Sequence, residues 1–230
     1  QKSNGSFDFL EELGIPITLT NAQQKILFHE TNLSFLFARQ YHPKMAQLGP
    51  ARKALGKPSI FNLIGPLSNP ANVQTQIVGC CSEVIAKRLI SACQALNRQK
   101  TLIIVGHNGL DEISSSGPSL LYEVTKKRIK KTIIKPEDFG LDIESTDEIT
   151  GNLSRENVLL FKTLLNEKKL THPTLKLIIL NASVSYAGLK NMDLLTSFDY
   201  IKKTWLSGHV KEYVEKYLVE SNKIKKTLTI

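Results

Sequence analysis

Apolar positions along the chain switch between two periods, and each switch marks a predicted element. Phe7, Phe9, Leu10 and Leu13 fall at helical spacing with Gly14 behind them, which predicts a short amphipathic helix and its stop. Thr20-Asn21-Ala22 opens a second helix running to about His29. Leu33 to Ala38 is apolar and aromatic and predicts a short buried strand, ending in Arg39-Gln40-Tyr41-His42-Pro43. From Lys44 a helix is predicted with Met45, Leu48, Ala51 and Leu55 on one face, stopped by Gly56. Ser59 to Pro70 combines an apolar run with Gly65-Pro66 and Asn69-Pro70. Its dense turn residues and fixed proline dihedrals predict a rigid loop, suited to wall a pocket for an apolar or aromatic ligand.

Gln76 to Cys81 reads as a strand and Ser82 to Leu96 as a helix with apolar positions 85, 86, 89, 90, 93 and 96. Thr101-Leu-Ile-Ile-Val105 is a continuous apolar run rich in β-branched residues and closed by Gly106, the pattern of a strand buried on both faces. Together these predict a β-α-β unit with a parallel pair and a right-handed crossover. Short strands follow from Glu112 to Ile134, with a turn at Ser115-Ser116-Gly117-Pro118, a strand over Leu120 to Val124 and a hairpin tip at Lys126-Lys127. Pro136 to Leu141 reads as a loop, and Ser154 opens a helix to about Leu165. Periodicity leaves Leu175 to Tyr186 open, but its small residues favour a buried helix. Leu194 to Lys216 is a final amphipathic helix with a break at Gly208. The fold class expected is α/β: a mixed, mainly parallel central sheet flanked by helices.

Candidate chemistry gathers at Gly106-His107-Asn108-Gly109-Leu110-Asp111-Glu112. Two adjacent carboxylates follow a strand, at the sheet edge where α/β proteins bind ligands. Adjacent carboxylates repel, and a cation between them relieves the repulsion. A Mg²⁺ site is one reading; a solvated acidic turn is the other, and spacing alone favours the turn. Ser6 stands at a predicted helix start, where a hydroxyl caps the helix or meets a phosphate, and the cap is the simpler reading. His42 lies at a predicted strand end, where a lone histidine is commonly a satisfied hydrogen-bonding residue. Arg52 could grip a carboxylate with both guanidinium arms or lie solvated on its helix.

Composition narrows the field further. The chain has 230 residues, 41% of them hydrophobic and 22% charged, ordinary values for a globular protein. Its three cysteines are too few for a disulfide framework. Cys80 and Cys81 read as core packing, so a reducing, cytoplasmic setting is expected. No stretch approaches the roughly 18 apolar residues of a membrane span. The net charge of +9 suits anionic ligands or a nucleic-acid surface. The basic clusters at Lys126-Lys127-Arg128-Ile129-Lys130-Lys131 and Lys223-Ile224-Lys225-Lys226 lack interleaved aromatics, so solvated faces are the simpler reading.

Several short motifs occur in a fixed order: Gly-Ser-x-Asp-x-Leu-Glu-x-Leu-Gly over 5 to 14, Tyr41-His42-Pro43, Arg52-x-x-Leu55-Gly56, Ile60-Phe61-Asn62-x-x-Gly65-Pro66-Leu67-x-Asn69-Pro70, Gly109-Leu110-Asp111-Glu112, and Pro136-Glu137-Asp138-Phe139-Gly140-Leu141. With Glu156-Asn157 and Leu180-Asn181-Ala182 they run nearly the full length, and the chain resembles the anthranilate phosphoribosyltransferase family of tryptophan biosynthesis. The resemblance implies a large α/β domain with remnants of a small helical domain. It implies transfer of phosphoribose from phosphoribosyl diphosphate to the amine of anthranilate, with release of diphosphate. By position, Asp111 and Glu112 would hold Mg²⁺ on the diphosphate, and Ser6 would contact phosphoribosyl diphosphate. Arg52 would bind the anthranilate carboxylate, and Tyr41, His42 and Pro66 would line its channel. No protein nucleophile is expected, because the ribose carbon becomes cation-like. The full-length family member is expected to be a homodimer that binds neither membrane nor nucleic acid.

Three family motifs are not found in these 230 residues: Gly-Thr-Gly-Gly-Asp, Asn-x-Ser-Thr and Lys-His-Gly-Asn. In the family they precede the segment that Gln1 begins, so the chain is expected to be the carboxy-terminal α/β part of a longer enzyme. Pro58 replaces a frequent Arg and Arg39 a frequent Pro, which bears on local loop geometry. Two alternatives stand beside this reading. One is a non-catalytic relative binding nucleic acid through its basic surface; the other is a transferase like the pyrimidine nucleoside phosphorylases, which share Phe-Asn-x-x-Gly-Pro.

Overall fold

A computed structural model describes residues 5–44, 54, 60–96, 98–145 and 153–227, with the backbone alone for 60–63. In chain order its helices are α1 (Ser6–Leu13), α2 (Asn21–Thr31), α3 (Ala38–Tyr41), α4 (Ile60–Leu67), α5 (Glu83–Ala95), α6 (Ser154–Leu164), α7 (Pro173–Lys190), α8 (Leu194–Leu206) and α9 (His209–Thr227). The strands are β1 (Thr75–Gly79), β2 (Lys100–Val105), β3 (Ser119–Val124) and β4 (Ile129–Ile134). The chain divides into two compact units: Gln1–Ser59 with Gly151–Lys168 and Trp205–Ile230, and Ile60–Thr150 with Lys169–Thr204.

The second unit carries the sheet, in the order β1-β2-β3-β4. β1 pairs parallel with β2, joined through α5 as the β-α-β pattern predicts. Ser82 caps α5 by accepting the Ile85 N–H. β2–β3 and β3–β4 are antiparallel. The sheet is mixed as expected, but its described pairings are not mainly parallel. A tight turn between β3 and β4 can only return the chain antiparallel, and the helical crossover serves the β1–β2 pair alone. Thr101 to Val105 is buried throughout. Ile103 and Val105 pack with Ala86, Leu89, Ile90 and Cys93 of α5. On Leu102 the close neighbour is Gly188 of α7, where an added Cβ would come within 2.2 Å of a Leu102 methyl. A strand covered on both faces reads as an unbroken apolar run, which is why it is legible in the sequence.

The first unit is helical. Leu10, Leu13, Ile15, Leu19 and Leu27 pack with Val158, Tyr217 and Ile224. Gly14 ends α1 at φ +97°, and Gly208 separates α8 from α9 at φ +95°, both left-handed conformations that glycine adopts without strain. Thr20 caps α2 and forms a reciprocal pair with Gln23.

Four local expectations fail. Leu33 to Phe37 forms no strand, and Ala38 already opens α3. Its backbone is held by side chains: Thr31 bonds both polar groups of Leu33, and Gln24 donates to the Phe35 carbonyl. Ser59 to Pro70 is not a loop throughout, because its apolar part forms α4 and Pro66 enters only in the last turn. The Gln76 amide and Arg98 guanidinium donate to the Pro66 and Leu67 carbonyls, which α4 leaves unpaired at its end. Cys81 is exposed while Cys80 and Cys93 are buried; neighbours on an extended stretch face opposite sides. Pro136 to Phe139 is a turn of 3₁₀ helix closed by left-handed Gly140. The predicted helix from Lys44 to Leu55 lies almost wholly outside the described residues.

Candidate active site

β1 and β2 run parallel, so their carboxyl ends meet one edge of the sheet, and the segment after Val105 begins there. It opens with Gly106, whose N–H donates to the Leu110 carbonyl at 2.8 Å. His107 to Gly109 make one 3₁₀ turn, with Asn108 and Gly109 at positive φ. The chain then passes between two glycines. A Cβ on Gly106 would meet the Glu112 carbonyl oxygen at 2.1 Å, and one on Gly79 would meet that of Asp111 at 1.6 Å. Sequence reasoning missed Gly79, because its role is a contact with a residue far along the chain.

Below the acidic pair the loop is anchored in the interior. Ile113, Ser114 and Ser115 are buried. Ser119 accepts the Ser114 N–H at 2.9 Å, and the Ser114 hydroxyl accepts the Ser116 N–H at 3.0 Å. Buried polar backbone is thereby satisfied without a strand partner. Asp111 and Glu112 themselves reach solvent. Even so, enough protein surrounds the Glu112 carboxyl to push it above the usual carboxylate range, first through burial and then through the Asp111 charge.

That repulsion tests whether the residues suit a divalent cation. They do: the donors are hard carboxylate oxygens, and a cation would remove the like-charge cost they now bear. Among the described residues no group of three or more His, Cys, Asp or Glu side chains could hold a metal. A two-carboxylate site suits Mg²⁺, which keeps water and substrate phosphate oxygens among its ligands.

Pro66 is exposed on the last turn of α4, in the same unit as the acidic pair. Ser6, Tyr41 and His42 belong to the other unit. Ser6 is the first residue inside α1, and Gly5 takes the cap position, so Ser6 is not the cap. Asp8 instead accepts the Gly5 N–H at 2.9 Å. Tyr41 ends the single turn α3, and burial pushes its phenol up. His42 follows, half-buried, donating its N–H to the Ala38 carbonyl at 2.9 Å. Gln40 steadies this turn by donating to the Leu19 carbonyl at 2.7 Å. Arg52 lies outside the described residues.

Among the described residues no helix is long and apolar enough to cross a membrane. A family model described as "Glycosyl transferase family, a/b domain" matches residues 1–201. Curated relatives named anthranilate phosphoribosyltransferase include one from Aquifex aeolicus, 33% identical over 96% of this chain and 65% of its own length. Another, from Oceanobacillus iheyensis, is 30% identical over 96% of this chain and 64% of its own. Among solved structures, anthranilate phosphoribosyltransferase from Thermus thermophilus superposes with a TM-score of 0.87 at 27% identity, covering 96% of this chain and 65% of that one. The Saccharomyces cerevisiae enzyme in complex with PRPP and Mg gives 0.89 at 24% identity, covering 95% and 63%, a likeness of fold. The chain thus spans 56–65% of the length of the curated relatives it matches. With residues 1–201 of 230 matched, the chain belongs to the glycosyl transferase family, as its a/b domain.

Proposed function

We propose that the protein transfers phosphoribose from 5-phosphoribosyl 1-diphosphate to the amine of anthranilate, giving N-(5-phosphoribosyl)anthranilate and diphosphate, a step of tryptophan biosynthesis in the cytoplasm. One observation carries this reading: the rigid loop that sets Asp111 and Glu112 side by side at the sheet's carboxyl edge. Sequence relatives bearing that activity over nearly the whole chain support it.

The residues divide the work by charge. Asp111 and Glu112 would hold the cation, and Mg²⁺ bound there would supply positive charge to offset that of the diphosphate. Ser6, at the start of α1, meets the phosphoribosyl part. Arg52 grips the anthranilate carboxylate, while Tyr41, His42 and Pro66 line its approach. None of these groups attacks carbon. The amine is the nucleophile, and the protein contributes positioning and electrostatics. The net charge of +9 favours capture of two anionic substrates. The protein acts as a homodimer, with this chain supplying the α/β part.

Calorimetry on the whole polypeptide tests the reading. Phosphoribosyl diphosphate should bind more tightly with Mg²⁺ in the wild type and lose that gain in Asp111→Asn. Equal Mg²⁺ dependence in the two proteins would remove the metal role.

A further inference from the structure

We infer that Asn181 is a positioning residue for the acidic pair: its carboxamide clamps the backbone of Ile113 and so fixes where Asp111 and Glu112 point. The inference rests on the metal-holding role proposed for that pair.

Asn181 lies in the middle of α7, a helix seated by Leu175, Ile179, Leu180 and Val184, all fully buried. Its Oδ1 accepts the Ile113 N–H at 2.8 Å, and its Nδ2 donates to the Ile113 carbonyl at 2.8 Å. The same Nδ2 also donates to the Leu177 carbonyl of its own helix at 3.1 Å. One side chain thus bonds both backbone groups of one residue, as a neighbouring strand would. The third bond holds the carboxamide in orientation. Ile113 is fully buried, so no water could replace these partners. Residue 113 directly follows Glu112, and a rotation of its peptide swings both carboxylates.

The clamp has a fixed base. Lys100 Nζ donates to the Gly188 carbonyl at 2.9 Å, and Gly188 abuts Leu102. α7 therefore runs antiparallel to β2, with Gly188 near the strand's start and Asn181 at the loop beyond its end. Seven residues separate the two contacts, about 10 Å of helix. Asparagine alone suits the position: aspartate lacks the donor, glutamine is a methylene too long, and serine offers one group where two are needed.

The test uses the whole polypeptide and two readouts. Asn181→Leu keeps the branched skeleton, at somewhat larger volume, and deletes the bonds, and Asn181→Asp keeps the acceptor and deletes the donor. Without ligand, exchange of the Ile113 amide hydrogen should quicken about tenfold or more in Asn181→Leu, while that of Ile103 in β2 stays slow. The Mg²⁺-dependent gain in phosphoribosyl diphosphate affinity should shrink about tenfold in Asn181→Leu, and KM for anthranilate should hold. Should Asn181→Leu not fold, Asn181→Asp carries the same comparison, with the Mg²⁺-dependent gain reduced. Unchanged Ile113 exchange would overturn the clamp. Faster exchange with an undiminished Mg²⁺ gain would reduce it to a fold-stabilising contact. A wild type with no Mg²⁺ dependence would instead sink the proposed function, while the exchange result still decides the clamp.

Discussion

The carbonyl oxygen of Asp111 lies 1.6 Å from where a Cβ on Gly79 would stand. The obstacle is backbone, so no rotamer change relieves it. Gly79→Ala must shift either the end of β1 or the acidic loop. Overpacking of this kind costs about 1–3 kcal/mol. We expect Gly79→Ala to lose that much in urea denaturation and to weaken Mg²⁺-dependent substrate binding with it. Gly65→Ala is the control, since an added Cβ there meets nothing within 4 Å. Lying inside α4, it should be neutral or gain up to about 1 kcal/mol. Matching stabilities for the two variants would contradict the close approach.

Tyr217 offers a pH test of the helical unit. It is 3% exposed and packs edge-on to Phe35. Burial, with a smaller contribution from Tyr213, pushes its phenol up to about 12 from the ordinary 10.0. Below pH 10 both the folded and unfolded chains keep the proton, so this residue gives no pH dependence. Between pH 10 and 12 the unfolded chain ionises first, and stability falls as pH rises. A two-unit shift is on the order of 2–3 kcal/mol. Across that window the wild type should lose more stability than Tyr217→Phe by about this amount. Parallel stability curves for the two would place the phenol in a solvated setting.

The cysteines should react unequally. Burial pushes Cys80 up to about 11 and raises Cys93, while Cys81 is exposed. Thiolate is the reactive form. At pH 8 an aromatic disulfide reagent should therefore titrate one thiol quickly and the other two only on unfolding. Cys81→Ser should abolish the fast phase, and two fast thiols in the native wild type would contradict the burial of Cys80.

These tests fall on features of uneven legibility. The β-α-β unit could be read because Thr101 to Val105 is covered on both faces and α5 has a clean apolar stripe. The breaks at Gly14 and Gly208 could be read because each requires positive φ. Asp111 and Glu112 were found by local motif. What stayed hidden depends on partners remote in sequence. Asn181 meets Ile113 across 68 positions, and no periodicity announces a side chain acting as a strand. Leu33 to Ala38 has a strand's composition, but Gln24 and Thr31 hold its backbone where a neighbouring strand would. The apolar run of α4 was masked by the turn residues that end it.

Lys176 and Glu144 tie α7 to the stretch after Gly140, which meets the end of the acidic loop at Ser115. Their side chains are 15% and 10% exposed and make a direct ion pair. The Glu144 N–H also donates to the Ser115 carbonyl at 3.0 Å, just beyond the acidic loop. Removing one partner strands a charge in a setting with little water. Lys176→Met should therefore cost about 3–5 kcal/mol. Replacing both, as Lys176→Met with Glu144→Leu, removes the desolvation cost together with the attraction and should recover most of the loss. A double-mutant cycle by urea denaturation measures the coupling. Two single losses that simply add in the double variant would show that the charges do not act as a pair. Recovery in the double variant, together with unaltered Ile113 amide exchange, would show that this pair stabilises α7 while Asn181 alone sets the loop.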